Sequence, residues 1–202
     1  MGRAAGTTKG EETRRTILGA GLALASEVGL AGVTIGTLAE RTGMSKSGLF
    51  GHFSSKENLQ VALLDEARQR FVDRVIAPAL RERRGEPRVR ALLDRWLDWG
   101  KQDDMPGGCI FVVAMVELDD QPGPARDLLI AVQKDWLEVL ATAARIAVEE
   151  RHFREDLDVR QLAYELYAVM LGHKAIHRLH VVPQAEKRLR AAFERLLDDA
   201  RA

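Results

Sequence analysis

The chain has 202 residues, 46% of them hydrophobic and 30% charged, which suits one domain, or a small domain joined to a larger one, with a real apolar core. Thirty basic and thirty acidic side chains cancel, so the molecule as a whole advertises no anionic partner. No run of about 18 apolar residues is present to span a bilayer, the polar start Met1–Gly10 lacks the apolar stretch of a signal peptide, and one cysteine, Cys109, excludes an internal disulfide framework and fits a reducing cytoplasm.

Helical periodicity dominates and strand alternation is almost absent, so the predicted class is all-α, with about nine helices. The first spans about Glu11–Val28, with Ile17, Leu18, Gly21, Leu22, Ala25 and Val28 on one face and Gly29 as its C-terminal cap. Thr34 is placed to cap a short second helix, Ile35–Thr42, whose Ile35, Leu38 and Ala39 face inward and which ends at Gly43. Ser45 then caps a third, Lys46–Phe53, with Leu49 and Phe53 four apart on the buried side. Ser54 with Glu57 matches a capping box, and Ser55 is an equally good cap one residue later. A long fourth helix is predicted from Lys56 to about Arg84, carrying Leu59, Leu63, Phe71, Val75, Ile76 and Leu80, with a kink at Pro78.

Four further helices follow over Val89–Gln102, Cys109–Asp119, Pro124–Arg151 and Val159–His180, separated by "DDMPGG", "DDQPGP" and a polar turn at 154–158. A last amphipathic helix, Gln184–Arg201, begins after Pro183. Through Gln60, seven basic side chains face five acidic ones, a surplus that permits a local nucleic-acid contact without demanding one.

Helices two and three are joined by only a few residues around Gly43-Met44, the helix-turn-helix arrangement in which the second helix enters the major groove and the first braces it across the backbone. "SKSGLFGHF", Ser45–Phe53, is a poor helix by composition, because each of its two glycines costs roughly 1 kcal/mol relative to alanine in a helix interior. Glycine is tolerable there if another molecule comes close to this backbone.

Val33–Leu59, "VTIGTLAERTGMSKSGLFGHFSSKENL", resembles the N-terminal DNA-binding domain of the tetracycline-repressor (TetR) family of bacterial transcriptional regulators. The match rests on Ser45-Lys46, Leu49, His52-Phe53, Ser55-Lys56-Glu57 and Leu59, with Ala39 and Gly43 before them. The resemblance implies a DNA-binding domain over residues 1–58 and an effector-binding and dimerisation domain over 59–202. It implies phosphate contacts from Thr34 and Lys56, base reading by Lys46, Ser47 and Gly48, and flanking backbone contacts from Phe50 and His52, with Thr37 and Ser45 completing the DNA-facing set. Phe50 stands where tyrosine is usual, so a hydroxyl contact to phosphate is lost. Gly48 and Gly51 stand where larger residues are common, and Gly36 occupies a position some members use on DNA. Direct readout therefore falls mainly to Lys46, and DNA shape carries more of the specificity.

In the larger domain Trp96, Trp99, Phe111, Met115, Trp136, Tyr164, Tyr167 and Met170 supply most of the large apolar surface. The first seven are the candidate lining of a pocket for a small, apolar or aromatic effector; core packing is the alternative for any one of them. His173, His177 and His180 share one helical face. No cysteine or carboxylate lies between them, so a subunit contact is preferred to a metal site. By resemblance, the last two helices pair with a second copy through Leu162, Leu166, Val169, His173 and Ile176, with Leu189, Phe193, Leu196 and Leu197. A homodimer on a palindromic DNA site follows, acting as a repressor released by its effector, with no cofactor, metal or membrane partner. An activator, or a regulator without a ligand, is the rival reading. An enzyme is disfavoured, because Cys109 has no nearby His–Asp pair and no glycine-rich phosphate loop follows a strand.

Overall fold

The computed structural model describes residues 9–201; most of the polar start, Met1 to Thr8, lies outside the described residues. Helices are α1 (Lys9–Gly32), α2 (Ile35–Thr42), α3 (Lys46–Phe53), α4 (Lys56–Phe71, followed directly by a π-helical turn, Val72–Ile76, and by Ala77–Leu80), α5 (Glu86–Trp99), α6 (Ile110–Glu117), α7 (Pro124–Glu149), α8 (Val159–Arg178) and α9 (Ala185–Ala200). Among the described residues the only extended pairing is an isolated bridge between Phe153 and Arg201. The all-α expectation holds.

The chain forms two compact units. One gathers residues up to Arg70 with Gly100–Leu129; the other gathers Phe71–Trp99 with Ile130 onward. The segment 100–129, which the sequence placed in the larger domain, thus packs with the N-terminal helices.

In the first unit the predicted caps operate. Thr34 and Thr37 form a reciprocal box: Thr37 N donates to Thr34 Oγ1 at 3.1 Å and Thr34 N donates to Thr37 Oγ1 at 2.9 Å. Gly43 ends α2 in the left-handed region (φ 68°). Ser45 Oγ accepts from Gly48 N at 3.1 Å to start α3. Ser55, not Ser54, caps α4, accepting from Asn58 N at 3.0 Å. Ser54 is instead committed to the end of α3, at φ 62° with its N–H on the Phe50 carbonyl. Ile17, Leu22, Leu38, Leu49, Leu59 and Leu63 are fully buried in this unit.

α1 departs from expectation. Val28 is half exposed rather than inward. Gly29 adopts φ 80°, ψ 166°, a glycine-only conformation that breaks the helix rather than capping it, and helical turns resume over Leu30–Gly32. In the second unit, Ala77 N donates to the Val72 carbonyl, so the irregularity expected at Pro78 takes the form of a widened turn just upstream of a ring that supplies no N–H. Leu80 is exposed there.

Candidate nucleic-acid interface

α2, the Gly43 turn and α3 form the predicted helix-turn-helix. Leu38 and Ala39 from α2 and Leu49 and Phe53 from α3 are buried, and burying those four leaves the opposite face of α3 in solvent. Ser45, Lys46, Ser47, Gly48, Phe50 and Gly51 are all exposed, Phe50 at 56%. The N-terminal end of α3 therefore presents a lysine, two serines and a bare stretch of backbone. Gly36 in α2 lies beside the lysine stem, where a Cβ would sit in ordinary contact at 3.9 Å from Lys46 Cε.

Two glycines differ in their reasons. A Cβ on Gly48 would come 3.1 Å from Ser45 Oγ and press on the cap. A Cβ on Gly51 would meet nothing within 4 Å. The fold gives glycine a packing reason at 48 and none at 51.

The remaining DNA-facing candidates are partly engaged. The Thr34 and Thr37 hydroxyls serve the cap of α2. Lys56 Nζ donates to the Ala31 carbonyl at 2.8 Å, leaving two of its three N–H groups for other acceptors. His52 is half-buried, with its ring 6.2 Å from that of Phe53. Two residues absent from the sequence prediction hold the motif. Arg14 in α1 donates to the His52 carbonyl at 3.0 Å, its guanidinium 4.8 Å from the centre of the Phe53 ring, fixing the C-terminal end of α3. Glu117 in α6 accepts from Leu30 N at 2.7 Å and Ala31 N at 3.3 Å, just before α2. Neither carries a local sequence signal, because their partners lie 38 and 87 residues away.

The pocket candidates scatter. Trp96, Trp99 and Trp136 are buried in the second unit, and Phe71 makes edge-to-face contacts with Trp99 and Trp136 at 5.4 and 5.0 Å. Half-buried Tyr167 donates to Gln133 Oε1 at 2.6 Å, while the buried Gln133 Nε2 and Trp136 Nε1 have no acceptor among the described residues. Met170 is fully buried. Phe111, buried, and Met115, half-buried, belong to the first unit. Tyr164 is 64% exposed and lines a surface groove of about 500 Å³ with Lys134, Glu138 and Arg160, rather than an interior cavity.

The candidate subunit-contact residues also divide. Leu162, Leu166, Leu189, Phe193 and Leu197 are buried where α8 packs on α9 within the chain, so that stripe is already covered. The outward set is Ile176, Leu179 and Val181, with Val169 and Leu196 half-buried. Val169, Ile176, Gly172 and Val182 line an apolar groove of about 270 Å³. His173 is buried and stacks on His177 at 5.1 Å, with His180 6.3 Å beyond. Burial, then the neighbouring His177 and Lys174, hold the His173 imidazole below its ordinary pKa. Among the described residues, no group of three His, Cys, Asp or Glu side chains is arranged to hold a metal, and no helix is long and apolar enough to cross a membrane.

Comparison with known proteins places this geometry. Residues 17–63 match a family model described as bacterial regulatory proteins of the tetR family, and residues 85–193 match one described as a tetracyclin repressor-like C-terminal domain. No curated protein matches the sequence. A TetR-family transcriptional regulator from Cytophaga hutchinsonii superposes with a TM-score of 0.84 at 22% identity, covering 98% of this chain and 99% of that one. A TetR transcriptional regulator from Chloroflexus aurantiacus gives 0.81 at 28% identity, covering 94% of each. AibR, solved in complex with isovaleryl coenzyme A and operator DNA, gives 0.64 at 22% identity over 78% of this chain and 83% of that one. Matched by family models through both its helix-turn-helix and most of its remaining length, the chain belongs to the TetR family of bacterial transcriptional regulators.

Proposed function

We propose that the protein binds a palindromic operator as a homodimer, represses transcription from it, and leaves the DNA when a small molecule occupies its larger helical unit. The observation that carries this reading is the open N-terminal end of α3, where Lys46, Ser47 and Gly48 face solvent above a buried Leu49/Phe53 seam. Lys46 is the base reader, best suited to a guanine edge. Thr34, Thr37, Ser45, His52 and Lys56 hold phosphate and sugar and set register, and Phe50, which has no hydroxyl, packs beside them. In a two-fold pair the reading helices fall about 34–36 Å apart, or a multiple of that, which dictates the half-site spacing.

Dimerisation is assigned to the outward face of α8 and the segment after it, around Ile176, Leu179 and Val181, because these large apolar side chains are left exposed by the chain's own core. The effector site is assigned to the aromatic interior around Trp99, Trp136 and Tyr167. Two buried donors there, Gln133 Nε2 and Trp136 Nε1, favour an apolar or aromatic molecule that carries a hydrogen-bond acceptor. AibR, solved in complex with isovaleryl coenzyme A and operator DNA, supports only the coarser point that a protein of similar fold takes both a small molecule and DNA. Release requires only that the effector prefer the conformation that does not fit the operator.

The test is selection of duplexes from a random pool, followed by titration of the winner in rising salt. A specific site bound with a log–log slope near −0.9 per neutralised phosphate supports the reading. Binding with no sequence preference at any salt sinks it.

A further inference from the structure

We infer that Glu117 is a positioning residue for DNA reading: its carboxylate, reaching from the last turn of α6, holds the α1–α2 junction and thereby the presentation of α3.

The argument begins with the break at Gly29. A helix that stops and restarts leaves new first-turn amides without acceptors in their own helix. Here those are Leu30 N and Ala31 N, and the Leu30 side chain is fully buried. An amide in such a setting is costly unless paired. Glu117 Oε2 accepts from both, at 2.7 and 3.3 Å, as charge-assisted bonds at a helix start, where a negative charge is favoured. Gly29 makes this possible twice over. Its φ of 80° is closed to other residues, and a Cβ there would stand 1.8 Å from Glu117 Oε1.

The carbonyls of the same two residues are taken from the other side. Gln60 Nε2 donates to the Leu30 carbonyl at 3.2 Å and Lys56 Nζ to the Ala31 carbonyl at 2.8 Å, both from α4. Thr37 Oγ1 reaches the carbonyl of Gly32 at 3.3 Å, and Thr34 then caps α2. Two residues are thus held from both sides, by α6 through their amides and by α4 through their carbonyls. The loop that leads into α6 is seated at a second point on the same stretch of α1. Gly107 N donates to the Ser26 hydroxyl at 2.9 Å in a buried setting, and a Cβ at Gly107 would lie 1.5 Å from the Ser26 carbonyl oxygen. α6 is thus tied to α1 at its last residue and through the loop before its first. A shift of α6 along its axis would strain the Glu117 bonds or move the junction that leads into the helix-turn-helix.

This inference rests on the DNA-reading proposal, and its test separates the two. Amide exchange and ¹⁵N–¹H spectra are compared for the full chain and its E117A and E117Q variants, alongside affinities for the selected duplex and for an unrelated one. E117A is expected to raise exchange at Leu30 and Ala31 while Leu38 and Leu49 stay protected, which shows the fold intact. The amides of Lys46–Gly48 move, and affinity for the selected duplex falls about tenfold, while affinity for the unrelated duplex, set by phosphate contacts, stays put. E117Q, which keeps an acceptor oxygen at the same reach, restores most of the loss. Unchanged exchange at Leu30 and Ala31 overturns the inference, as does raised exchange with full affinity for the selected duplex. If the wild-type protein selects no duplex, the DNA-reading proposal falls by itself. The Lys46–Gly48 amides then decide whether Glu117 positions α3: movement supports it, and stillness overturns it.

Discussion

At the scale of single residues, the reading helix shows how one residue type serves two purposes. Gly48 has a packing reason inside the protein, since a Cβ there would come 3.1 Å from the Ser45 hydroxyl that caps α3. Gly51 has no such account: open space surrounds its missing Cβ, yet glycine weakens a helix by roughly 0.5–1 kcal/mol relative to alanine. The open space leaves room for another molecule to approach the backbone closely. Gly51→Ala should therefore stabilise the free protein by about that amount in chemical denaturation while weakening binding to its selected duplex. A variant more stable and equally good on DNA would remove close approach as the reason. Arg14 belongs to the same scale. Its bond to the His52 carbonyl and its contact with Phe53 fix the far end of α3, a role invisible in sequence because the partners lie 38 residues apart.

At the scale of elements, α9 is fastened to α5 by ion pairs that set an acid limit. Arg201 pairs with Glu86 at 2.6 Å and Glu194 at 2.9 Å, and Arg90 with Glu194 at 2.6 Å. Hydrogen bonds from Arg90 and then Arg201 hold Glu194 at about 2, against an ordinary value of 4.5, and Arg201 likewise lowers Glu86. A depressed carboxylate stabilises the fold fully above its unfolded pKa and loses that contribution as pH falls toward the folded one. Thermal stability should thus decline from about pH 4.5 toward pH 2, and Arg201→Met should flatten that decline; a variant with the wild-type slope would show the pairs to be idle. The pairs are partly exposed, so the effect is modest.

Much of this element layout was legible beforehand, and the reason is local. α2 and α3 were predicted to the residue because Thr34, Gly43 and Ser45 act within one turn of themselves. Ser54 and Ser55 competed for one cap on equal sequence terms, and the strained end of α3 decided between them. The break at Gly29 is not legible locally because the group that pairs the amides after it, the Glu117 carboxylate, comes from 87 residues downstream. The candidate subunit-contact stripe divides for a related reason. Periodicity identifies an apolar face but not whether the chain's own fold already covers it, as it does at Leu162 and Leu166.

At the scale of the molecule, assembly should depend on the apolar residues left over. Leu179→Glu, at a side chain 75% exposed in the single chain, should leave the fold intact and shift the sedimenting species from dimer to monomer. A variant that sediments as the wild type does would move the contact elsewhere. His173 adds a pH term, since its imidazole titrates below its ordinary value in the fold. Its contribution is present above about pH 6.5 and drains away on acidification. With charges balanced across the whole chain, bulk attraction toward a polyanion is weak, and discrimination has to come from fit. The half-exposed phenyl ring of Phe50 then acquires a chemical preference. It has no hydroxyl to offer a phosphate, but it packs well on the C5-methyl group of thymine. Replacing thymines by deoxyuridine in the bound duplex, a change of one methyl per base, should weaken the complex at the position that ring touches and nowhere else.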